Sequence, residues 1–225
     1  IDFLWRKIYA SFRDHGQKGV VIEGLSGIDI ALWDIKGKHF GVPVHQLLGG
    51  TVRSEVQAYA TGLYRRKTGD PLRYLPEEAE GYAADGFKAV KLKVGFGVEQ
   101  DAAVTRAVRD AIGSEVALMV DANHAYDATA AIRLGRMIEP YDIGWFEEPV
   151  PPEDLAGYRE VKAALSIPVA GGECEYTRFG FRDVLTSRAM DIIQPDTCAA
   201  GGLSECKKIA DMAEAFGVRY NPHVW

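Results

Sequence analysis

Short apolar runs alternate with amphipathic helical stretches along the chain from residue 56 onward. Such alternation is typical of βα units around a parallel sheet, whose strands are buried on both faces. The seven predicted strands are residues 56–61, 88–93, 117–121, 143–147, 168–173, 191–195 and 219–223. Their starts lie 23 to 32 residues apart, about one βα unit each, which favours a (β/α) barrel over an open sheet.

An open doubly wound sheet is the alternative fold. It normally carries a glycine-rich phosphate loop after its first strand, and neither GxGxxG nor GxxxxGK[ST] occurs here. A closed barrel needs eight strands, and the sequence stops at Trp225, directly after the seventh. We therefore expect a portion of a longer protein with pieces missing at both ends, divided into residues 1–50 and a barrel domain of residues 51–225.

Helical periodicity marks the first fifty residues and two later segments. We predict one helix ending by Gly16, and a second capped by Ser26 and terminated by Gly41. The apolar stripe of the second helix is predicted to be Ile28, Ala31, Leu32 and Ile35. Two further helices are predicted at residues 152–165, with Pro152 in the first turn, and at residues 203–216, closed by Gly217.

The charge balance limits the partners of the protein. Twenty-six Lys and Arg against 32 Asp and Glu give a net charge of −6, without a long basic cluster, which argues against nucleic-acid and anionic-membrane partners. No apolar run approaches the roughly 20 residues that span a bilayer, and residues 1–13 are amphipathic, unlike a signal peptide. We expect a cytoplasmic protein that acts on a small molecule.

Ionisable residues stand in phase at the ends of the predicted strands. They are Lys91 with Lys93, then Asp121, Glu147, Glu173, Asp196 and His223. In a (β/α) barrel the chemistry collects at these carboxyl ends, where the βα loops begin. The pattern therefore predicts a ring of functional side chains at one end of the barrel.

Three carboxylates in this series, from Asp121, Glu147 and Glu173, would repel one another unless a cation lies between them. An all-oxygen set suits Mg²⁺, whereas zinc prefers nitrogen or sulfur ligands. Each acid taken alone could equally be a solvated loop residue or a helix N-cap. Three in phase favour the metal site.

Lys91 and Lys93 are two residues apart on one strand, so their side chains share a face. Mutual repulsion and partial burial both depress a lysine pKa, which predicts a neutral amine base. Surface lysines on an edge strand are the alternative.

Across the ring, Asp196 can accept a hydrogen bond from His223 and fix its tautomer. A purely structural histidine is the alternative there, and it is our interpretation of His15, His39 and His45, while His124 stays open.

Taken together, these motifs resemble the mandelate racemase branch of the enolase superfamily. The matching motifs are Lys91-Leu92-Lys93, Asp121-Ala122-Asn123, Glu147-Glu148-Pro149, Gly172-Glu173, Gln194-Pro195-Asp196 and Asn221-Pro222-His223, with residues 24–50 similar to the closing helices of the capping domain. The resemblance implies a TIM-like (β/α)7β barrel, incomplete here, with the helical end of an α+β capping domain.

The same resemblance implies the roles of the residues. Asp121, Glu147 and Glu173 would bind Mg²⁺, and Lys93 would be one acid/base. His223 with Asp196 would be the other, while Lys91 and Asn123 would contact the substrate. Family members are usually symmetric assemblies, so we expect a homo-oligomer.

The implied reaction removes the proton α to a carboxylate through an enediolate. Dehydration of a sugar acid to a 2-keto-3-deoxy acid is our first expectation, and racemisation or epimerisation of a 2-hydroxy acid is the second. A non-catalytic relative and a Mg²⁺-dependent aldolase fit less well, because the ring residues are all present and the lysines face an Asp/His pair. The muconate-lactonising branch would carry a lysine on the far side, so His223 argues against cycloisomerisation.

Overall fold

The structure, a computed structural model, describes residues 1–224. Its strands are β1 (Ala60–Thr61), β2 (Ala89–Lys93), β3 (Ala117–Asp121), β4 (Ile143–Glu147), β5 (Val169–Gly171), β6 (Ile192–Ile193) and β7 (Arg219–Tyr220). Its α-helices are α1 (Asp2–Phe12), α2 (Val20–Phe40), α3 (Val44–Leu47), α4 (Pro71–Ala84), α5 (Val98–Ile112), α6 (Ala128–Ile138), α7 (Leu155–Ala164), α8 (Thr177–Ser187) and α9 (Leu203–Phe216).

The chain forms two compact units. The first comprises Ile1–Val56, Gly172–Ser187 and Ile192–Trp225, of which residues to 224 are described. The second comprises Gln57–Gly171 and Arg188–Asp191. Each unit combines helices with parallel strands, which confirms the predicted α/β class.

The second unit holds strands β1 to β5, paired in parallel in the order of the sequence. Its core consists of side chains that alternate along the strands, among them Val90, Leu92, Leu118, Val120 and Phe146, all fully buried. The register pairs Lys93 with Asp121 and Asp121 with Glu147. Because these three residues end their strands, the register alone brings their side chains to one edge of the sheet.

The first unit packs α1 and α2 around an aromatic cluster. Trp5 and Tyr9 stack with ring centroids 5.1 Å apart and pack with Ile22 and Leu25 of α2. In the same unit β6 and β7 pair in parallel, and an isolated parallel bridge joins Asp196 to His223 beyond their ends. Because of this bridge, Asp196 and His223, two of the predicted site residues, lie side by side.

Two helix predictions are wrong in detail. Helix α2 begins at Val20 with Gly19 at its N-cap, so Ser26 lies within the helix. Its buried face is Ile22, Leu25, Ser26, Asp29, Trp33 and Gly37, whereas Ile28 and Ile35 of the predicted stripe are exposed. Hydrophobic periodicity predicted the wrong face of α2, because the buried face includes the polar residues Ser26 and Asp29, which have hydrogen-bond partners in distant segments.

The second error concerns α7, where Pro152 does not lie in the first turn. The helix begins at Leu155, and the carboxylate of Asp154 accepts a hydrogen bond from the backbone N–H of Gly157. An Asp at the N-cap satisfies one of the free amides of the first turn. By contrast, α9 runs over the predicted residues, and Gly217 ends it in the left-handed conformation.

Candidate active site

The second unit brings together five of the predicted site residues. They are Lys91, Lys93, Asp121, Asn123 and Glu147, all at the carboxyl ends of β2, β3 and β4. Asp121 and Glu147 are fully buried, and Lys91 is 3% exposed. A buried charge is costly unless it is paired, so these side chains must compensate one another.

Lys91 compensates both buried carboxylates. Its Nζ lies 2.5 Å from Oε1 of Glu147 and 3.5 Å from Oδ2 of Asp121. Burial alone would lower the pKa of Lys91, but the attraction of the two carboxylates outweighs burial and raises that pKa above its ordinary value. The expectation of a depressed lysine pKa is therefore wrong for Lys91, which keeps its positive charge at neutral pH.

Lys93 is 14% exposed and lies nearer to solvent. Its Nζ donates to Oδ2 of Asp121 at 2.5 Å and to Oδ1 of Asn123 at 2.8 Å. The pKa of Asp121, which burial would raise, is lowered by the charges of Lys91 and Lys93. The amine of Lys93 is thus held between a carboxylate and an amide at the mouth of this unit.

Left-handed backbone conformations follow β3 and β4 directly. Asn123 has φ 41°, His124 φ 54° and Glu148 φ 41°. Asn and His tolerate this conformation better than most residues, whereas Glu148 adopts it at a cost on the order of 1–3 kcal/mol. The backbone N–H of Asn123 donates to Oδ1 of Asp121 at 2.8 Å, which helps to hold Asn123 in this conformation. His124, left open from the sequence, is exposed.

Two aromatic residues that the sequence analysis did not select surround this charge cluster. The indole N–H of Trp145 donates to Oε2 of Glu147 at 2.8 Å. The ring of Tyr59 lies 5.6 Å from Nζ of Lys91, and its edge packs on Trp145. Trp145 and Glu147 are two apart on one strand, so the two-residue period could have identified the tryptophan.

A buried carboxylate at Asp101 was also missed. It accepts hydrogen bonds from the backbone N–H groups of Gly95 and Phe96, from Arg65 and from the hydroxyl of Tyr126. These donors come from three loops, which follow β1, β2 and β3. Asp101 therefore fastens together the loops around Lys93. A single Asp within a helix gives no such signal in the sequence.

The first unit brings together the other three predicted residues, Glu173, Asp196 and His223. Nδ1 of His223 lies 2.8 Å from Oδ2 of Asp196, which is 2% exposed, so the predicted hydrogen bond is present. Because a carboxylate only accepts, Nδ1 carries the proton. Nε2 of the same ring points to Oε2 of Glu173, 3.4 Å away. With Nδ1 bonded to Asp196, Nε2 is the ring nitrogen that faces Glu173.

Comparison with known proteins identifies two family matches. Residues 74–225 match the family described as enolase C-terminal domain-like. Residues 6–49 match the mandelate racemase / muconate lactonizing enzyme N-terminal domain. None of the helices described in residues 1–224 is both long and apolar enough to cross a membrane.

Two curated relatives cover almost the whole chain. D-galactarolactone cycloisomerase from Agrobacterium fabrum is 51% identical over 99% of the chain and 59% of its own length. Arabinonate dehydratase from Saccharolobus solfataricus is 40% identical over 99% of the chain and 60% of its own length. The chain thus spans about three fifths of these relatives. The similarity to a protein named as a cycloisomerase gives no support to the expectation, drawn from His223, that cycloisomerisation is excluded.

Two solved structures share the fold. The 3,6-anhydro-D-galactonate cycloisomerase from Zobellia galactanivorans matches 100% of this chain and 62% of its own, with a TM-score of 0.95 and 48% identity. An enolase from Bradyrhizobium, complexed with magnesium and mandelic acid, matches 98% of this chain and 60% of its own, with a TM-score of 0.90 and 34% identity. The predicted fold class, a partial TIM-like barrel, is confirmed.

Proposed function

The chain belongs to the mandelate racemase / muconate lactonizing enzyme family of the enolase superfamily, and from that premise we propose that the protein is a Mg²⁺-dependent acid-sugar dehydratase. It abstracts the proton α to the carboxylate of a sugar acid and eliminates the β-hydroxyl as water. The product is a 2-keto-3-deoxy acid. The observation that carries the proposal is the oriented His223–Asp196 pair, since an imidazole held in this way can protonate a leaving hydroxyl.

The metal assignment rests on the donor set. One ammonium group, that of Lys91, contacts the carboxylates of Asp121 and Glu147 together, so these oxygens already converge on a single positive charge. All-oxygen donors fit Mg²⁺, and the Bradyrhizobium relative was solved with magnesium. We assign Asp121, Glu147 and Glu173 as the residues that hold it. When bound, Mg²⁺ supplies positive charge that offsets the charge developing on the substrate carboxylate.

The two lysines have different tasks in this proposal. Lys91, which lies beside the carboxylates of Asp121 and Glu147, attracts the substrate carboxylate and stabilises the negative charge that develops there. Lys93 takes the α-proton. Its side chain is the more exposed of the two, 14% against 3% for Lys91, so its amine is the one within reach of a bound acid. Asn123 keeps the Lys93 amine in place.

His223 completes the elimination. The imidazolium gives its Nε2 proton to the β-hydroxyl, the C–O bond breaks, and the hydroxyl departs as water. Lys93 has gained one proton and His223 has lost one, so the proton count balances. The enol that remains tautomerises to the 2-keto acid. Asp196 stabilises the imidazolium before the transfer and fixes which nitrogen reacts.

Cycloisomerisation of a sugar lactone is the second candidate function. It is favoured by the 51% identity to D-galactarolactone cycloisomerase and by the fold match to a second cycloisomerase. The α-proton abstraction would be common to both reactions, and the fate of the intermediate would differ. Racemisation of a 2-hydroxy acid remains the third candidate, since a lysine and a histidine could each remove and return the same α-proton.

Three further assignments are part of the proposal. We assign residues 1–50 to the helical part of the capping domain and residues 51–225 to the barrel. We place the protein in the cytoplasm, and we assign it a homo-oligomeric state. The net charge of −6 would repel an anionic substrate, so the attraction has to come from the local positive charges of Lys91 and Lys93.

The experiment uses the full-length gene product with Mg²⁺ in D₂O and a library of sugar acids, their lactones and 2-hydroxy acids, followed by proton NMR. Loss of the α-proton signal with a new 3-deoxy methylene supports the dehydratase. A rearranged product of the lactone formed without loss of water would establish the cycloisomerase, and deuterium exchange alone would establish the racemase. Failure to exchange any α-proton contradicts all three.

A further inference from the structure

The peptide unit of Gly201 forms hydrogen bonds with both N-terminal helices of the first unit, α1 and α2. The indole N–H of Trp5 donates to the carbonyl oxygen of Gly201 at 2.8 Å. The backbone N–H of Gly201 donates to Oγ of Ser26 at 2.9 Å. Trp5 is 2% exposed and Ser26 is fully buried, so water does not compete for these bonds.

The start of α9 is held in the same way. The backbone N–H of Ser204 donates to Oδ2 of Asp29 at 2.9 Å, and the indole N–H of Trp33 donates to Oγ of Ser204 at 2.8 Å. The N-cap residue Gly202 has no side chain to satisfy the first turn. Asp29, 1% exposed, therefore acts as the helix cap from another helix, and its negative charge lies at the positive end of α9.

The segment between these anchors and the site is a tight turn built around Asp196. Oδ1 of Asp196 accepts from the backbone N–H of Cys198 at 2.6 Å and of Ala199 at 3.2 Å. The backbone N–H of Ala200 donates to the carbonyl oxygen of Asp196 at 2.7 Å. A displacement of Gly201 would therefore be transmitted through three consecutive residues to the carboxylate that faces His223.

The backbone at Gly202 is closely packed against Asp29 of α2. A Cβ placed on Gly202, whose φ is +85°, would lie 2.5 Å from Oδ2 of Asp29. The contact is backbone against a buried carboxylate, so the two elements cannot approach further. Hydrogen bonds and close packing therefore both fix the position of α2 against the turn.

From this geometry we propose that Asp29 is a positioning residue that sets the carboxylate of Asp196 against the imidazole of His223. Asp29 touches neither the reacting atoms nor His223; it acts through Gly202, Ser204 and the turn. The inference rests on the proposed function in one respect, that His223 and Asp196 are the pair that protonates the leaving hydroxyl.

The test compares Asp29→Ala with Asp34→Ala in the full-length gene product. Asp34 is a matched control because it lies on the same helix, is exposed and pairs only with the exposed Lys38 among the contacts described for it. Ser26→Ala is the second variant, since it removes the acceptor of the Gly201 N–H, together with the bond from Oγ to the carbonyl oxygen of Ile22, with a small change of volume. The readout is the downfield Nδ1–H resonance of His223 in protein labelled with ¹⁵N-histidine, assigned by its loss in His223→Asn.

We expect Asp29→Ala and Ser26→Ala to broaden or shift this resonance, and Asp34→Ala to leave it unchanged. In the dehydration assay, we expect kcat to fall by about tenfold or more, as for other residues that orient a reactive group. Exchange of the α-proton, which depends on Lys93, should change by less than about twofold.

Two outcomes overturn the proposal. One is a resonance that is the same in Asp29→Ala, in Ser26→Ala and in the unmodified protein. The other is an equal loss of dehydration and of α-proton exchange, which indicates a general loss of structure. If the unmodified protein turns over none of the acids while the resonance responds to Asp29→Ala, the proposed function fails and the positioning role stands.

Discussion

Trp145 donates its indole N–H to Oε2 of Glu147, two residues further along the same strand, at 2.8 Å. The bond fixes one oxygen of the carboxylate, while the other faces Lys91. A carboxylate whose rotation is restricted in this way is prepared to bind a cation without further ordering.

The first prediction concerns this orientation. Trp145→Phe removes the donor and keeps an aromatic ring, so Glu147 should lose its fixed rotamer. We expect Mg²⁺ affinity in the full-length protein to fall by about tenfold, measured by calorimetry. Trp5→Phe is the control, since it also loses one buried indole hydrogen bond but in the other unit. Equal affinity in both variants would contradict the orienting role.

The second prediction concerns the metal ligands. Glu173→Gln removes a charge and one anionic oxygen donor, and we expect Mg²⁺ binding to weaken by more than about tenfold. Glu153, which is exposed in the second unit, offers a control in Glu153→Gln. Calorimetry that finds undiminished affinity in Glu173→Gln would show that Glu173 is not a ligand.

The third prediction separates the two proton transfers. His223→Asn removes the imidazole, so dehydration should fall by about 10²–10⁴-fold, whereas α-proton exchange through Lys93 persists. His15→Asn, at an exposed position, should change neither rate. Proton NMR in D₂O measures both rates in one sample. Normal dehydration by His223→Asn would rule out this residue as the acid.

The fourth prediction is a pH dependence of stability in the first unit. Burial raises the pKa of Glu205 above its ordinary value near 4.5, and Arg178, 2.6 Å away, only partly offsets burial. The folded state therefore holds the proton more tightly, so this contribution to the free energy of unfolding is full below pH 4.5 and declines as pH rises through the folded-state pKa.

Glu205→Gln should remove that decline, because the amide does not titrate. The measurement is urea unfolding of the full-length protein over a pH series, with Glu153→Gln as the control for an exposed carboxyl. Identical pH dependence in Glu205→Gln and the unmodified protein would show that Glu205 has no raised pKa.

The fifth prediction contrasts two glycines. A Cβ on Gly24, within the exposed face of α2, meets nothing within 4 Å, so Gly24→Ala should stabilise the protein by about 1 kcal/mol. Gly202→Ala should destabilise it by about 1–3 kcal/mol, because φ is +85° and the new methyl group would meet Asp29. Thermal unfolding of the two variants should therefore shift in opposite directions.

The sequence predicted the centre of the fold better than its margins. Strands β3 and β4 and helix α9 run over the predicted residues, because apolar runs ending at Asp121 and Glu147 and a glycine at 217 are local signals. The other five strands are shorter than predicted, the second by one residue. Strand ends are decided by pairing with neighbours, which local patterns do not contain.

The candidate site was predictable where its residues repeat in phase, and not where they depend on distant partners. Lys93, Asp121 and Glu147 follow from their places at strand ends. Asp29 does not, because its partner Ser204 lies 175 positions away. In the sequence a buried Asp within a helix is indistinguishable from a solvated one, so the polar face of α2 was taken for its outer face.

The register that pairs Lys93 with Asp121 and Asp121 with Glu147 has a consequence for how such a protein can diversify. Each reactive group occupies the last position of its strand, while Leu92, Val120 and Phe146, one position earlier, belong to the core. Because Asp121 and Glu147 are themselves buried and paired with Lys91, an exchange at this edge must keep the charges balanced, while the apolar side chains of the core stay in place. A few substitutions at this edge can therefore change which acid is bound and how it reacts, while the fold stays the same.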